Sequence, residues 1–133
     1  NANNLSFIKD ESIDLICTHP PYADIIQYST EIPGDISHLK YEDFLKELET
    51  VAKESYRVLK KQGICTFMIG DIRKKGYVLP LGMNSMQKFV DAGFKLKEII
   101  IKEQHNCKST EYWDNIEKTF LMLAHEYIFV LEK

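Results

Sequence analysis

From Tyr41 the residues Phe44, Leu45, Leu48, Val51, Ala52, Ser55, Val58 and Leu59 recur at helical intervals. That spacing predicts an amphipathic helix from Tyr41 to Lys61. Glu42 and Asp43 open it, Lys60 and Lys61 close it, and Gly63 follows as a stop signal. Ile13 to Cys17 is a short apolar run broken only by Asp14. It enters His19-Pro20-Pro21, where proline has no amide proton to continue a ladder. The pattern predicts a buried strand leading into a rigid loop. Ile64 to Ile69 is almost continuously apolar, as in a central strand buried on both faces. It ends at Gly70-Asp71, and a basic loop, Arg73-Lys74-Lys75-Gly76, follows. Pro80 opens a second helix with Leu81, Met86, Phe89 and Val90 on its apolar face, and Gly93 ends it. Leu96 to Ile101 reads as a strand, Glu103 to Lys118 as a polar loop. Phe120 to Leu131 is apolar apart from His125 and Glu126 and ends as a strand. Tyr22 to Lys40 has no period and contains Pro33 and Gly34, so it reads as a loop with a short helical turn.

Strands alternating with helices predict an α/β fold with a mostly parallel sheet. No helix separates the closing pair, so the final strand is expected to run antiparallel. Two helices cover about half of what a parallel sheet requires, which implies a further covering layer on the N-terminal side. The 133 residues suffice for one core but are short for a complete doubly wound enzyme. The polar start Asn1-Ala2-Asn3-Asn4 is not a signal peptide and reads like the middle of a longer sequence.

Charge changes this picture modestly. A net charge of −3 argues against this chain alone gripping a phosphate backbone, though a catalytic module can borrow its grip from another domain. Cys17, Cys65 and Cys107 form no CxxC pair, which speaks against a zinc cluster or a disulfide framework. Cys17 and Cys65 are expected to pack as small hydrophobes in a reducing, cytoplasmic setting. His105, Cys107 and His125 lack metal-ligand spacing, so no metal is expected. No apolar stretch is long enough to span a bilayer, so no membrane partner is expected.

The chemistry concentrates in Asp14-Leu15-Ile16-Cys17-Thr18-His19-Pro20-Pro21-Tyr22. In open α/β sheets ligands bind beyond the carboxyl ends of strands. Pro20-Pro21 freezes the backbone and aims its carbonyls in fixed directions, which suits an amino-group donor. Tyr22 offers a face for a flat ring, and His19 an imidazole that accepts or donates according to tautomer. Together they suit a planar substrate bearing an amino group.

This stretch resembles the fourth motif of the amino-group DNA methyltransferases, which modify adenine at N6 or cytosine at N4. Pro20, Pro21 and Tyr22 match that motif after the preceding strand; His19 stands where the family has Asp, Asn or Ser. Gly70-Asp71-Ile72-Arg73 and Gly76 to Gly82 resemble a later family motif. His125-Glu126-Tyr127-Ile128-Phe129-Val130 resembles the closing strand. The resemblance implies a partial Rossmann-like class I methyltransferase fold using S-adenosyl-L-methionine. A base flipped from double-stranded DNA would enter the site. It implies catalytic roles for His19, Pro20, Pro21 and Tyr22, and cofactor contacts from Asn1, Thr18 and His19. Substrate contacts would come from Tyr22, Asp71 and Arg73. The family's glycine-rich cofactor loop has no counterpart in this chain, so an upstream segment or a second chain is expected to supply it. No Pro-Cys pair is present, which disfavours carbon-5 cytosine chemistry.

Plainer readings stand beside these. Pro20-Pro21-Tyr22 also fits a rigid loop with a packed tyrosine, and His19 a structural histidine. Asp71 also fits a cap, and Arg73-Lys74-Lys75 a solvated turn. Asp24 and Tyr28 fit either the pocket or the surface, and Tyr112 and Trp113 either stacking on a base or pinning their loop to the core. An RNA or protein-amide methyltransferase shares the motif, and a non-catalytic half that supports a partner shares the composition.

Overall fold

In the computed structural model the described residues are 2–23, 35–104 and 121–133. They form six strands and two α-helices: β1 (Ile13–Thr18), α1 (Tyr41–Val58), β2 (Leu59–Ile69), β3 (Ile72–Lys74), β4 (Tyr77–Leu79), α2 (Leu81–Asp91), β5 (Lys95–Glu103) and β6 (His125–Glu132). A single 3-10 turn, Ile36–His38, precedes α1. The main sheet has the order β1-β2-β6-β5. β1 and β2 are parallel, and β6 runs antiparallel to both β2 and β5. Three strands therefore share one direction and the last is inserted against them, as the pattern implies.

Helix α1 forms where expected but stops at Val58. Phe44, Leu45, Leu48, Ala52, Ser55 and Val58 face inward, and Glu42 and Asp43 sit in the first turn against the positive helix end. Leu59 already has strand dihedrals and pairs with Ile13, so Leu59–Lys61 belong to β2. Gly63 is therefore no helix stop. It lies inside β2, where a Cβ would stand 2.8 Å from the Lys60 carbonyl oxygen. Helix α2 begins after Pro80 and ends in a Schellman motif. Gly93, at φ +115, donates its N–H to the Val90 carbonyl, and Phe94 donates to Phe89. The expected basic loop is a hairpin: Lys75 (φ 52) and Gly76 (φ 83) form the two-residue turn between β3 and β4.

Both helices cover the same face of the sheet. Phe67 stacks on Phe89 at 4.5 Å and meets Phe129 at 5.2 Å, with Cys65, Ile69 and Leu131 buried around them. The opposite face is open among the described residues. Leu15 is 57% exposed, Cys17 is exposed, and Ile64, Thr66, Met68, Ile128 and Val130 are half-covered. Burial on both faces of β2, burial of β1, and Cys17 as a packed hydrophobe are thus corrected. The alternation along β2 follows from a single covered face. No helix of the described residues is long and apolar enough to cross a membrane.

The N-terminal segment is tied down by Arg57. Its guanidinium bonds Glu54 at 2.9 Å and the Leu5 and Ile8 carbonyls at 2.9 and 3.0 Å, and it also pairs with Asp10. Glu54 in turn accepts from the Leu5 N–H at 2.7 Å. Ala2, ahead of this strap, lines a cavity together with Thr18 at the end of β1.

Candidate active site

The carboxyl ends of β1 and β2 lie side by side, and the stretch after β1 turns across them. Thr18, His19, Pro20 and Pro21 form one wall of a cavity of about 230 Å³, faced by Asp35, Ile36, Leu48 and Phe89. Ala2 also lines it. Asn1 lies outside the described residues, as do Asp24, Tyr28, Tyr112 and Trp113. The lining is mainly apolar, with a carboxylate and an imidazole at its rim. Asp35 is fixed there by accepting from the Ser37 N–H at 2.8 Å. Its carboxylate also lies 3.7 Å from His38 Nε2.

Tyr22 is held by its hydroxyl. That oxygen accepts from the Gly70 N–H at 2.8 Å and donates to Glu126 Oε1 at 2.6 Å. A side chain at position 70 would bring its Cβ within 3.1 Å of the same hydroxyl, so glycine makes the close approach possible. The ring is therefore fixed in plane and position. The His19 ring stands edge-on to it, centroids 6.0 Å apart at 84°, with Nε2 3.9 Å from Glu126 Oε1. Glu126 is only 6% exposed. Its second oxygen accepts from Lys102 Nζ at 2.6 Å. Burial pushes this carboxyl up, but hydrogen bonds from Lys102, Tyr22 and Gln104 and the Lys102 charge outweigh it, so the net shift is downward. The group is a carboxylate at neutral pH.

Asp71 and Arg73 have structural partners. Asp71 Oδ1 accepts from the Gly82 N–H at 2.9 Å, capping α2, while Oδ2 accepts from the Tyr127 hydroxyl at 3.2 Å. Arg73 donates to the carbonyls of Gly76 at 2.7 Å and Leu121 at 2.8 Å, strapping the hairpin to the segment before β6. Lys74, Lys75 and Tyr77 on that hairpin are exposed. His19, Pro20 and Pro21 are thus gathered at one cavity and Tyr22 beside it. Asp71 lies next to Gly70 at the same sheet edge, with both oxygens engaged.

Sequence reasoning missed Glu126, Lys102 and Asp35 as members of this region. For Glu126 a signal existed: a carboxylate inside an apolar strand must find partners, because an unpaired buried charge is costly. A wider open groove lies at the opposite end of the sheet, lined by Asp10, Tyr56, Arg57 and Lys133. Its charged groups are largely paired with one another, and Lys133 Nζ lies 4.7 Å over the Tyr56 ring. Among the described residues no three His, Cys, Asp or Glu side chains are grouped to hold a metal ion.

A family model for DNA methylases of the N6/N4 type matches residues 13–133. The chain belongs to that family. The matched range includes the Thr18–Tyr22 stretch and β6. The chain is 30% identical over 132 residues to the type II methyltransferase M.MjaVI of Methanocaldococcus jannaschii, covering 95% of this chain and 64% of that protein. It is 28% identical over 152 residues to M.MthZI of Methanothermobacter thermautotrophicus, covering 100% and 43% respectively. Among solved structures, a DNA modification methylase of Thermus thermophilus, complexed with S-adenosyl-L-methionine, superposes with a TM-score of 0.71 at 27% identity, over 99% of this chain and 52% of that one. The cytosine-N4-specific PvuII DNA methyltransferase superposes with a TM-score of 0.75 at 23% identity, over 96% and 45%. At that identity the second likeness speaks for the fold, which is the class I methyltransferase fold expected from the sequence. The chain spans between about two fifths and just under two thirds of the length of the curated relatives it matches.

Proposed function

We propose that this chain is the base-binding portion of an S-adenosyl-L-methionine-dependent DNA methyltransferase acting on the exocyclic amino group of adenine (N6) or cytosine (N4). The observation that carries the reading is the rigid His19-Pro20-Pro21 wall set against a tyrosine pinned by Gly70 and Glu126, at the carboxyl ends of parallel strands. A ring fixed at its hydroxyl presents a constant face to a flat base, so little entropy is lost on stacking. The Pro20-Pro21 carbonyls accept hydrogen bonds from the amino group and hold its nitrogen in line for attack. His19 accepts at the same nitrogen.

The cavity chemistry fits the methyl donor in part. An apolar slot with Asp35 and His19 at its rim suits a nucleoside with hydroxyl and amino groups. At about 230 Å³ it falls below the roughly 300–1,000 Å³ usual for such ligands. Asn1, Thr18 and His19, with Asp35, would hold that ligand; when bound it supplies an electrophilic methyl group on a sulfonium. The small cavity and the apolar sheet face left open among the described residues favour a second element of the reading, a complementary segment or second chain that completes the site. Lys74 and Lys75 are suited to phosphate contacts, and Arg73 to bracing the hairpin that carries them.

The test is calorimetric titration with S-adenosyl-L-methionine of the 133-residue chain and of the full product of its gene. Transfer of labelled methyl groups to DNA, RNA and protein substrates is measured alongside. Incorporation into DNA at N6 or N4 supports the reading. Incorporation into RNA or a protein amide, with none into DNA, sinks it.

A further inference from the structure

We propose that Glu126 is a positioning residue of this site: it fixes Tyr22 and steadies His19 as the acceptor of the proton that the target amine releases. The inference rests on the amino-methylation reading above and assigns a role to a residue outside the Pro-Pro-Tyr stretch.

Glu126 is 6% exposed and stands near the start of a strand whose middle, Ile128 to Leu131, is apolar, so its charge persists only because partners surround it. From β5 come Lys102 at 2.6 Å and, just beyond the strand, the Gln104 side chain. From the loop after β1 come Tyr22 at 2.6 Å and His19 at 3.9 Å. From the end of β2 comes Gly70, which is uncharged and bonded to the same tyrosine. The nearby titratable groups Asp71, His125 and Tyr127 bond to one another on the opposite face of β6. Lys102 occupies Oε2, so Oε1 is the oxygen offered to the loop. It binds Tyr22 and faces the His19 ring.

Amine methylation needs a proton sink. The nitrogen gains an N–C bond, the S–C electron pair leaves with sulfur, and one N–H proton must depart. Neither the amide of asparagine nor the hydroxyl of serine is basic enough to take that proton, whereas the unprotonated ring nitrogen of a neutral imidazole can. With Nε2–H turned to Glu126, Nδ1 is left as the acceptor. Closing the 3.9 Å separation by about an ångström makes that N–H···carboxylate bond, and the His19 side chain, 43% exposed, has room to do so. The same exposure lets the imidazolium pass its proton to water.

The experiment is an NMR titration of the His19 ring in the labelled chain, compared in Glu126→Gln and Lys102→Met. Removing the carboxylate destabilises the imidazolium, so Glu126→Gln lowers the His19 midpoint by about half a pH unit or more. Removing the lysine leaves the carboxylate uncompensated, so Lys102→Met raises it. The opposite signs distinguish an electrostatic pair from a general loosening of the fold. If Glu126→Gln does not fold, the Lys102→Met result decides alone. Unmoved midpoints overturn the positioning role, whatever the enzyme methylates. Shifted midpoints without any methyl transfer to DNA sink the amino-methylation reading, and the proton-acceptor role with it. Where transfer is active, the acid limb of the pH–rate profile moves to lower pH in Glu126→Gln and follows the NMR midpoint.

Discussion

Replacing Tyr22 by phenylalanine separates the two jobs assigned to that residue. The ring and its stacking face remain, while the hydroxyl that joins β2 to β6 disappears. Two bonds go with it: a 2.6 Å donation to a buried carboxylate and a 2.8 Å acceptance from the Gly70 N–H. A hydrogen bond to a charged group contributes about 1.5–3 kcal/mol, and a buried donor left unsatisfied costs about 1–3 kcal/mol. The site is only part-buried, so water recovers a share of both. The net expectation is a loss of about 2–3 kcal/mol, a large part of the ~5–15 kcal/mol that holds a domain together. Urea unfolding followed by circular dichroism reads this as a lower midpoint with unchanged slope.

A double-mutant cycle with Glu126→Gln tests the geometry more sharply. The two side chains touch, so their effects should not add, and a coupling of about 1–2 kcal/mol is expected. Additive losses would refute the claim that the tyrosine hydroxyl and the carboxylate act as one unit, as would a Tyr22→Phe loss under about 0.5 kcal/mol. In a methylation assay Tyr22→Phe should keep base affinity within a few-fold and lower turnover, because the face is retained but no longer held.

Further outcomes follow from other parts of the molecule. Phe67→Ala removes a 1% exposed ring stacked on Phe89 and should cost about 3–5 kcal/mol in urea unfolding. Glu54 is held well below its usual range, at about 2, by its hydrogen bonds to Arg57 and to the Leu5 N–H. A depressed folded-state value means the stabilisation is complete above the ordinary value of 4.5 and is lost as pH falls towards about 2. Glu54→Gln should therefore flatten the fall in urea midpoint between those two pH values. Replacing both Lys74 and Lys75 by alanine should reduce the slope of log DNA affinity against log salt by about 1–2 without changing base preference. An unchanged slope would remove the hairpin from the DNA interface.

Much of the fold was legible because long periodic segments carry their own signal. The buried face of α1 reads directly off Phe44, Leu48 and Ala52. Its end does not, because Val58 and Leu59 continue the helical period while strand pairing with Ile13 takes Leu59 away. Tertiary pairing outweighs local propensity there. The hairpin at Lys75-Gly76 was hidden by the charges of its first arm and turn, Arg73, Lys74 and Lys75, and by arms of only three residues, too short to show an alternation. The apolar run of β2 suggested two buried faces, yet Ile64, Thr66 and Met68 face the open side. An apolar strand reports that both faces are apolar, and says nothing about which of them this chain covers.

The site was legible only as far as it followed strand ends. Ligands in α/β sheets gather at the carboxyl ends of parallel strands, and Thr18–Tyr22 and Gly70 sit at those ends. Glu126 comes from the second residue of β6. Because β6 runs antiparallel to β2, with Ile69 opposite Tyr127, its beginning lies where β2 finishes. An inserted antiparallel strand therefore delivers its first residues to the same edge. Lys102, opposite Glu126 near the end of β5, reaches that edge by the ordinary route. The rule that points to strand ends thus needs its complement wherever a sheet is mixed. The start of the reversed strand belongs to the site, and a charged residue there is a candidate even when its sequence neighbours look like core.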